Sequence, residues 1–96
     1  MDNLELEMRG IWATRIADEA IRAVSLHKPM NSHHEAKSVI EEEFNEYWDL
    51  VKLNPKKPMV HPTKGTPLTV EEWRTELKTE LIQTAAVCLR TLHDLC

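Results

Sequence analysis

The chain has 96 residues, of which 42% are hydrophobic, 29% are charged and only two are glycine. This length allows a single domain, 1–96, because typical domains contain about 100 to 150 residues. An all-β sandwich or barrel is excluded, because glycine for hairpin turns and β-branched or aromatic residues outside helical spacing are both scarce. The composition therefore predicts an all-α fold.

The charge is unevenly distributed along the chain. The chain contains twelve basic and sixteen acidic residues, which gives a net charge of −4. No acidic residue lies between Asp49 and Glu71. That segment instead carries Lys52, Lys56, Lys57 and Lys64. A duplex-binding protein needs a basic face that neutralises several phosphates, so we expect no nucleic-acid duplex as a partner. A small anion remains compatible with the basic segment.

The cysteines and the first residues predict a cytoplasmic protein. Cys88 and Cys96 form no disulfide framework, which fits a reducing cytosol. The stretch 1–7 has neither the basic nor the apolar region of a signal peptide, and the sequence contains no run of about 18 apolar residues. We therefore expect no membrane association.

Two helices are predicted in the first half of the chain. The first covers about 4–26 and ends before Pro29, because the residue before a proline resists helical geometry. Its apolar stripe is diffuse. The second covers about 32–53 and begins with a capping box, in which Ser32 and Glu35 satisfy each other's backbone amides.

A proline-rich connector separates the second helix from the third. The segment 54–68 holds four of the five prolines and one of the two glycines, so we expect a loop without helix or strand. Thr69 and Glu72 then form a second capping box, which opens a third helix over about 69–94.

Carboxylates occupy unexpected positions on both of these later helices. At about 100° per residue, Glu43 lies within the apolar stripe of the second helix, and Glu46 lies on its border. That stripe consists of Ala36, Val39, Ile40, Phe44, Tyr47 and Val51. An unpaired buried carboxylate is costly, so Glu43 needs a compensating partner. Glu41 and Glu42 project away from the stripe, where a solvated acidic face is the alternative interpretation.

The third helix repeats this pattern. Glu80 lies at the edge of its apolar stripe, with Glu76 and Gln83 on the same flank. The stripe consists of Val70, Leu77, Leu81, Cys88, Leu92 and Leu95. Antiparallel packing of the two helices would bring Glu43, Glu46 and Glu80 together. Facing carboxylates repel unless a hard cation lies between them, which favours Mg²⁺, with Mn²⁺ as an alternative.

These acidic residues form a pattern that resembles the motifs of a known protein family. Glu42-Glu43-Phe44-Asn45-Glu46 forms an EExxE motif, and Glu80-Leu81-Ile82-Gln83 follows on the next helix. Over about 30–95 the chain resembles the short, phage-type branch of the MazG-like, all-α nucleoside triphosphate pyrophosphohydrolases, whose pattern is EExxE followed by ExxD. Gln83 departs from that pattern. Either Gln83 ligates a metal weakly, or Glu76 replaces it, or one ligand is lost.

The resemblance implies hydrolysis of nucleoside triphosphates to monophosphate and pyrophosphate. It implies metal ligands at Glu43, Glu46, Glu80 and Gln83, and it makes Glu42 the candidate for a second metal or for orienting the attacking water. Lys56 and Lys57 of the connector would neutralise the triphosphate, unless they are solvated lysines on a loop. His34 is a further candidate for substrate contact, with helix capping or a surface position as the alternative.

Three helices of this length leave apolar surface uncovered. We therefore expect a homodimer or a homotetramer that completes a four-helix-bundle-like core, and Trp48, at the edge of its stripe, is expected to meet a partner subunit or a nucleobase. The competing functional hypothesis is a non-catalytic helical oligomer of the same fold, which binds nucleotide or a protein partner. Gln83 favours this second hypothesis, whereas Glu43 favours the enzyme.

Overall fold

The computed structural model describes residues 2–96 and confirms the all-α prediction. Helix α1 spans 3–26 as three consecutive segments, an α-helical turn Asn3–Glu5, a π-helical stretch Leu6–Trp12 and an α-helix Ala13–Leu26. Helix α2 spans His33–Val51 and helix α3 spans Val70–Leu95. Two short strands, β1 (Met59–Val60) and β2 (Pro67–Leu68), lie between α2 and α3. Within residues 2–96, none of the helices combines the length and the apolar content needed to cross a membrane.

The helix starts follow the predicted caps, with one difference. The Ser32 hydroxyl accepts from the Glu35 amide, but the Glu35 carboxylate accepts from the amide of Asn31, not from that of Ser32. At α3 the capping box is complete, since Thr69 and Glu72 each accept from the other's backbone amide. The first capping box is therefore only half formed, and the second is confirmed.

The connector was predicted to contain no strand, and this prediction is wrong. Met59 pairs with Leu68 and Val60 pairs with Pro67 in an antiparallel hairpin. Gly65, with φ of 71°, closes its turn. A proline is compatible with this hairpin because each strand of a two-stranded ribbon has a free edge, where a missing N–H costs no ladder bond.

Helix α3 is the centre of a flat arrangement and packs against both α1 and α2. The chain measures 43 × 38 × 19 Å. Helix α2 runs antiparallel to α3, because Trp73 Nε1 donates to the Leu50 carbonyl at 2.8 Å at one end and the Met30 amide donates to Asp94 Oδ2 at 3.0 Å at the other. This antiparallel pairing brings the middle of α2 opposite the middle of α3.

The core of the single chain is small. Within residues 2–96, the buried apolar residues are Ala20, Met30, Ala36, Leu50, Met59 and Ala86. Three of these six are alanines, and no large side chain in that range is fully buried. The packed chain therefore buries little apolar surface on its own.

Several residues of the predicted stripes are exposed. On α2, Phe44 is 52% exposed while Leu50, outside the predicted stripe, is buried. On α3 the exposed members are Val70, Leu81, Cys88 and Leu92. The predicted burial of these residues is wrong for the single chain, because a flat arrangement of three helices leaves part of each helix without a neighbour. The diffuse stripe of α1 has a separate reason, since i→i+5 bonding over Leu6–Trp12 departs from the period of 3.6 residues.

Candidate metal centre

Three carboxylates converge where α2 and α3 pack against each other. Glu43 and Glu46, one helical turn apart on α2, face Glu80 of α3, and one carboxylate oxygen from each lies within 4.8 Å of the others. The antiparallel pairing of the helices produces this convergence, as the sequence predicts. All three side chains are half-buried. We refer to these residues as the carboxylate triad.

Crowding within the triad favours a proton on Glu80. Partial burial, followed by the negative charge of Glu46 and a hydrogen bond with its carboxylate, raises the pKa of Glu80 to about 7. Glu43 contributes in the same direction through its charge and a hydrogen bond. Without a cation, the triad therefore holds a proton at a pH where isolated carboxyl groups have lost theirs.

The pKa of Glu43 is also raised, for a similar reason. Partial burial raises its pKa above the ordinary value, and the charges of Glu46 and Glu42 add to this effect. Glu19 of α1 raises it slightly further. A cation between these groups would reverse the shifts, because opposite charge favours the ionised form.

Gln83 supplies hydrogen bonds to the triad. Hydrogen bonding assigns its amide orientation, in which Nε2 donates to Glu43 Oε2 at 3.2 Å and to Glu80 Oε2 at 3.3 Å. The amide thus offsets part of the negative charge with two N–H groups. To act as a metal ligand, Gln83 must turn its oxygen toward the triad and give up both of these bonds.

A cavity of about 570 Å³ opens beside the triad, between α1 and α2, with α3 as its floor. Glu43 and Gln83 lie at its acidic side, and Ala86 and Val87 form part of its floor. Its basic residues are Arg22, Lys28 and Arg90. A negatively charged ligand with a flat apolar portion would meet complementary groups here.

Two of these basic residues are already held by neighbouring groups. Arg22 forms an ion pair with Glu19 at 2.6 Å, which lowers the pKa of that carboxyl. Arg90 donates from Nη2 to the Lys28 carbonyl at 2.8 Å, and its Nε lies 3.4 Å from Asp94 Oδ2. These contacts fix the wall of the cavity on the side of the α1–α2 connection.

The hairpin places a second set of polar residues at the other side of the triad. A smaller cavity of about 150 Å³ is lined there by Glu46 and Glu80 together with His61, Lys64 and Glu76. His61 Nδ1 accepts from the Lys64 amide at 3.1 Å, so a neutral ring carries its proton on Nε2, which lies 3.7 Å from Glu76 Oε2. Lys64 Nζ lies 3.9 Å from the other oxygen of Glu76.

The remaining predicted residues lie apart from the triad. Glu42 is exposed, although its charge reaches Glu43. Lys56, Lys57 and His34 are exposed and line neither of the two cavities beside the triad. The basic residues that do line these cavities, Arg22, Lys28, Lys64 and Arg90, were not predicted. For one of them, Lys64, the sequence gave an indication, because this residue lies in the basic connector.

The donor set of the triad fits a hard divalent cation. Carboxylate oxygens are the ligands that Mg²⁺ and Mn²⁺ prefer, whereas zinc sites usually add histidine or cysteine. Glu76 interacts with the hairpin and is not one of the three converging carboxylates. This arrangement argues against Glu76 as the replacement ligand and leaves Glu43, Glu46 and Glu80 as the candidates.

Comparisons of the chain with protein-family models, with curated proteins and with solved structures found no match.

Proposed function

We propose that this protein is a Mg²⁺-dependent nucleoside triphosphate pyrophosphohydrolase, with Mn²⁺ as an alternative metal. The convergence of Glu43, Glu46 and Glu80 within 4.8 Å carries the proposal. Three half-buried carboxylates that repel one another are costly in a purely structural role, and a bound divalent cation turns this repulsion into binding energy. The EExxE motif and its resemblance to the MazG-like family support the same reaction.

The reaction breaks the bond between the α-phosphorus and the oxygen that bridges it to the β-phosphorus. The oxygen of a water attacks the α-phosphorus, pyrophosphate leaves with the bridging oxygen, and the proton lost by the water passes to a carboxylate. When bound, the metal ion neutralises charge on the phosphate oxygens. Glu42 is the candidate to accept that proton or to orient the water, since it adjoins Glu43 and is exposed.

The cavity beside the triad supports a nucleotide as the substrate. Its volume of about 570 Å³ lies in the usual range for small-molecule sites. Phosphates at the triad end would place the base and sugar over the floor formed by Ala86 and Val87. Lys64, on the other side of the triad, would offset phosphate charge, whereas Lys28 and Arg90 line the end of the cavity beyond this floor. We assign Lys56, Lys57 and His34 a lesser part, because they lie outside both cavities.

The second candidate function is a non-catalytic helical oligomer that binds nucleotide or a protein partner. The two hydrogen bonds from Gln83 favour it, because they compensate Glu43 and Glu80 without a metal ion. In this case the cavity would bind a nucleotide without turnover.

We further propose that the working unit is a homodimer or a homotetramer in the cytoplasm, which completes a four-helix-bundle-like core. The small core of the single chain supports an oligomer, because half of its buried apolar residues are alanines.

Pyrophosphate release from a panel of deoxynucleoside and ribonucleoside triphosphates tests the enzymatic proposal. With Mg²⁺ we expect turnover of at least one triphosphate, and we expect Glu43→Gln to reduce it by about 100-fold or more, since even second-shell changes cost 10- to 100-fold. Glu41→Gln is the matched control, because Glu41 is exposed and pairs only with Lys37 in the same helix, at 2.9 Å.

Two results would contradict the enzymatic proposal. One is the absence of pyrophosphate from every triphosphate with either metal. The other is equal activity of Glu43→Gln and Glu41→Gln, which would move the chemistry away from the triad. Nucleotide binding without pyrophosphate release, measured by calorimetry, would support the non-catalytic oligomer instead.

A further inference from the structure

The outer side of α3 presents apolar residues to solvent. Leu81 is 49% exposed and Leu92 is 61% exposed, and Cys88 between them is also exposed. Gln83 and Arg90, which line the large cavity, follow Leu81 and Cys88 by two residues each. Two residues turn the helix by about 200°, so each pair is separated by about 160° around the axis of α3. We call the surface formed by Leu81, Cys88 and Leu92 the outer face of α3.

An apolar groove continues this face toward α1. Its volume is about 520 Å³, and alanines from α1 lie between larger side chains from both helices. The apolar residues of this α1–α3 groove are Ala17, Ala20, Ile21, Val24, Leu89 and Leu92, and Ser25, Arg90 and His93 complete its lining. Ile21, on its α1 side, is 64% exposed. The groove therefore offers both protruding side chains and a recess of small residues that can receive them.

The accessible surface of the chain is larger than the average for folded monomers of its mass. The accessible surface is 7116 Å² for 11.1 kDa. The scaling observed for folded monomers gives about 5,700 Å² for this mass, so the chain exposes an excess of about 1,500 Å². The radius of gyration agrees, since it is 15.2 Å where about 12.5 Å is typical of a compact domain of this length.

This excess corresponds to the area that a stable dimer buries. Two copies that each cover about 1,500 Å² form an interface of about 3,000 Å², within the range of obligate homodimers. A two-fold interface uses the same patch on both copies, so the patch must complement itself. The outer face of α3 and the α1–α3 groove meet this condition, because leucines and alanines lie side by side in them.

Charge also favours contact at this face. Each copy carries a net charge of −4, so charged residues on a contacting surface would add desolvation and direct repulsion to the overall repulsion between the copies. Leu81, Cys88 and Leu92 form an uncharged row on α3, whereas the cavity side carries charges of both signs, with Glu19, Glu35 and Glu43 beside Arg22, Lys28 and Arg90. Contact through the outer face therefore leaves the carboxylates of the cavity side in water, where they need no desolvation.

We propose that a second copy of this chain docks on the outer face of α3 and in the α1–α3 groove. The α1–α3 pairs of the two copies then form a four-helix arrangement. The carboxylate triad remains outside this interface, on the cavity side of each copy. The proposal specifies the contact surface of the oligomer and does not depend on a metal ion or on catalysis.

Analytical ultracentrifugation of the full chain and three lysine variants tests the interface. We expect the wild-type protein to sediment as a dimer or a larger even oligomer at micromolar concentration. Leu81→Lys and Leu92→Lys should each shift it to monomer, because they bury an unpaired charge. Val60→Lys is the matched control, since Val60 is 53% exposed on the hairpin and should leave the oligomer intact.

Thiol labelling provides a second measurement that needs no disruptive substitution. Cys96→Ser leaves Cys88 as the only thiol, and Cys88→Ser leaves Cys96. We expect a maleimide to react slowly with Cys88 in the oligomer and at least tenfold faster after Leu92→Lys is added. Cys96 should react rapidly in both backgrounds.

Three outcomes would overturn this proposal. A monomer at micromolar concentration shows that another occupant, or none, covers the face. An oligomer that survives both Leu81→Lys and Leu92→Lys has its interface elsewhere. Equal labelling rates of Cys88 and Cys96 in the oligomers of the two single-cysteine variants exclude the outer face directly. Because neither measurement uses nucleotide or metal, the enzymatic proposal stands or falls separately.

Discussion

The two sides of α3 reverse the usual distribution of polar and apolar groups. On the side facing α2, Glu43, Glu46 and Glu80 are half-buried and lie within 4.8 Å of one another. On the outer side, Leu81 is 49% exposed and Leu92 is 61% exposed. A protein that is stable as a single chain normally does the opposite, placing leucines inside and carboxylates in water.

The two sides of α3 carry two separate energetic costs, one from partly buried carboxylates and one from exposed leucines. Partial burial of carboxylates raises the pKa of Glu43 and Glu80, and the amide of Gln83 compensates part of this cost. The exposed leucines do not gain the stabilisation that burial of apolar surface provides, because no other part of the described chain covers them. Under the two proposals made above, a bound cation would remove the first cost and a second copy of the chain would remove the other. Changes on one side should therefore leave the other side unaffected.

Gln83→Asp should have the largest effect on the cavity side. It removes two hydrogen bonds and adds a fourth negative charge, so we expect the metal-free protein to lose about 1–3 kcal/mol of unfolding free energy. Mg²⁺ affinity should rise by about tenfold or more, since ligand charge strengthens cation binding. Thermal melting with and without Mg²⁺ measures both effects. Gln83→Asn, which stays neutral, should show no gain in affinity, and a gain there would contradict this explanation.

Trp73→Phe should have a smaller effect, and on stability alone. The indole Nε1 donates to the Leu50 carbonyl at 2.8 Å and joins the end of α2 to the start of α3. Loss of this bond should cost about 1 kcal/mol, which corresponds to a decrease in melting temperature of about 4–8 °C for a domain of this size. An unchanged melting temperature would show that the bond does not hold the two helices together. The oligomeric state should not change.

The third prediction concerns the pH dependence of metal-free stability. Because the pKa of Glu80 is raised to about 7 from its ordinary 4.5, the folded state binds a proton more tightly than the unfolded state. This contribution to stability is fully present below the unfolded pKa and is lost as the pH rises through the folded pKa. Melting with a chelator should therefore give a lower midpoint at about pH 8 than at about pH 5.

Two controls sharpen the pH experiment. Glu80→Gln should flatten the decrease, because the group that titrates between these pH values is gone. Mg²⁺ should raise the melting temperature more at the higher pH, since a metal ion binds deprotonated carboxylates. A midpoint that rises with pH in the metal-free wild-type protein would contradict the raised pKa of Glu80.

The local rules in the sequence predicted the helices well. Ser32 and Thr69 are N-cap residues as expected, because a side-chain hydroxyl that accepts from an amide three residues later depends only on nearby residues. Periodicity also predicted that Glu43 and Glu80 would turn toward the contact between α2 and α3. The strands of the connector were missed, because the pairing of Val60 with Pro67 depends on a turn that closes at Gly65.

Residues from separate segments were the ones that the sequence could not bring together. The roles of Arg22, Lys28 and Arg90 in one cavity depend on how α1 lies against α3, and nothing in their spacing indicates it. Lys56 and Lys57 were reasonable candidates by charge, yet the hairpin brings Lys64 to the triad side instead. Charge composition does not determine which lysine of a folded segment faces a site.

The sequence by itself determined the helical class, the helix starts and the three carboxylates, because these follow from composition, local hydrogen bonding and the 3.6-residue period. Only the tertiary structure decided which apolar stripe is covered. The periodicity of α3 marks Leu81, Cys88 and Leu92 for burial, but burial requires a neighbour, and α1 and α2 both lie on other sides of the helix. An amphipathic pattern specifies that a face must be covered, and the arrangement of the other helices decides whether the same chain can cover it.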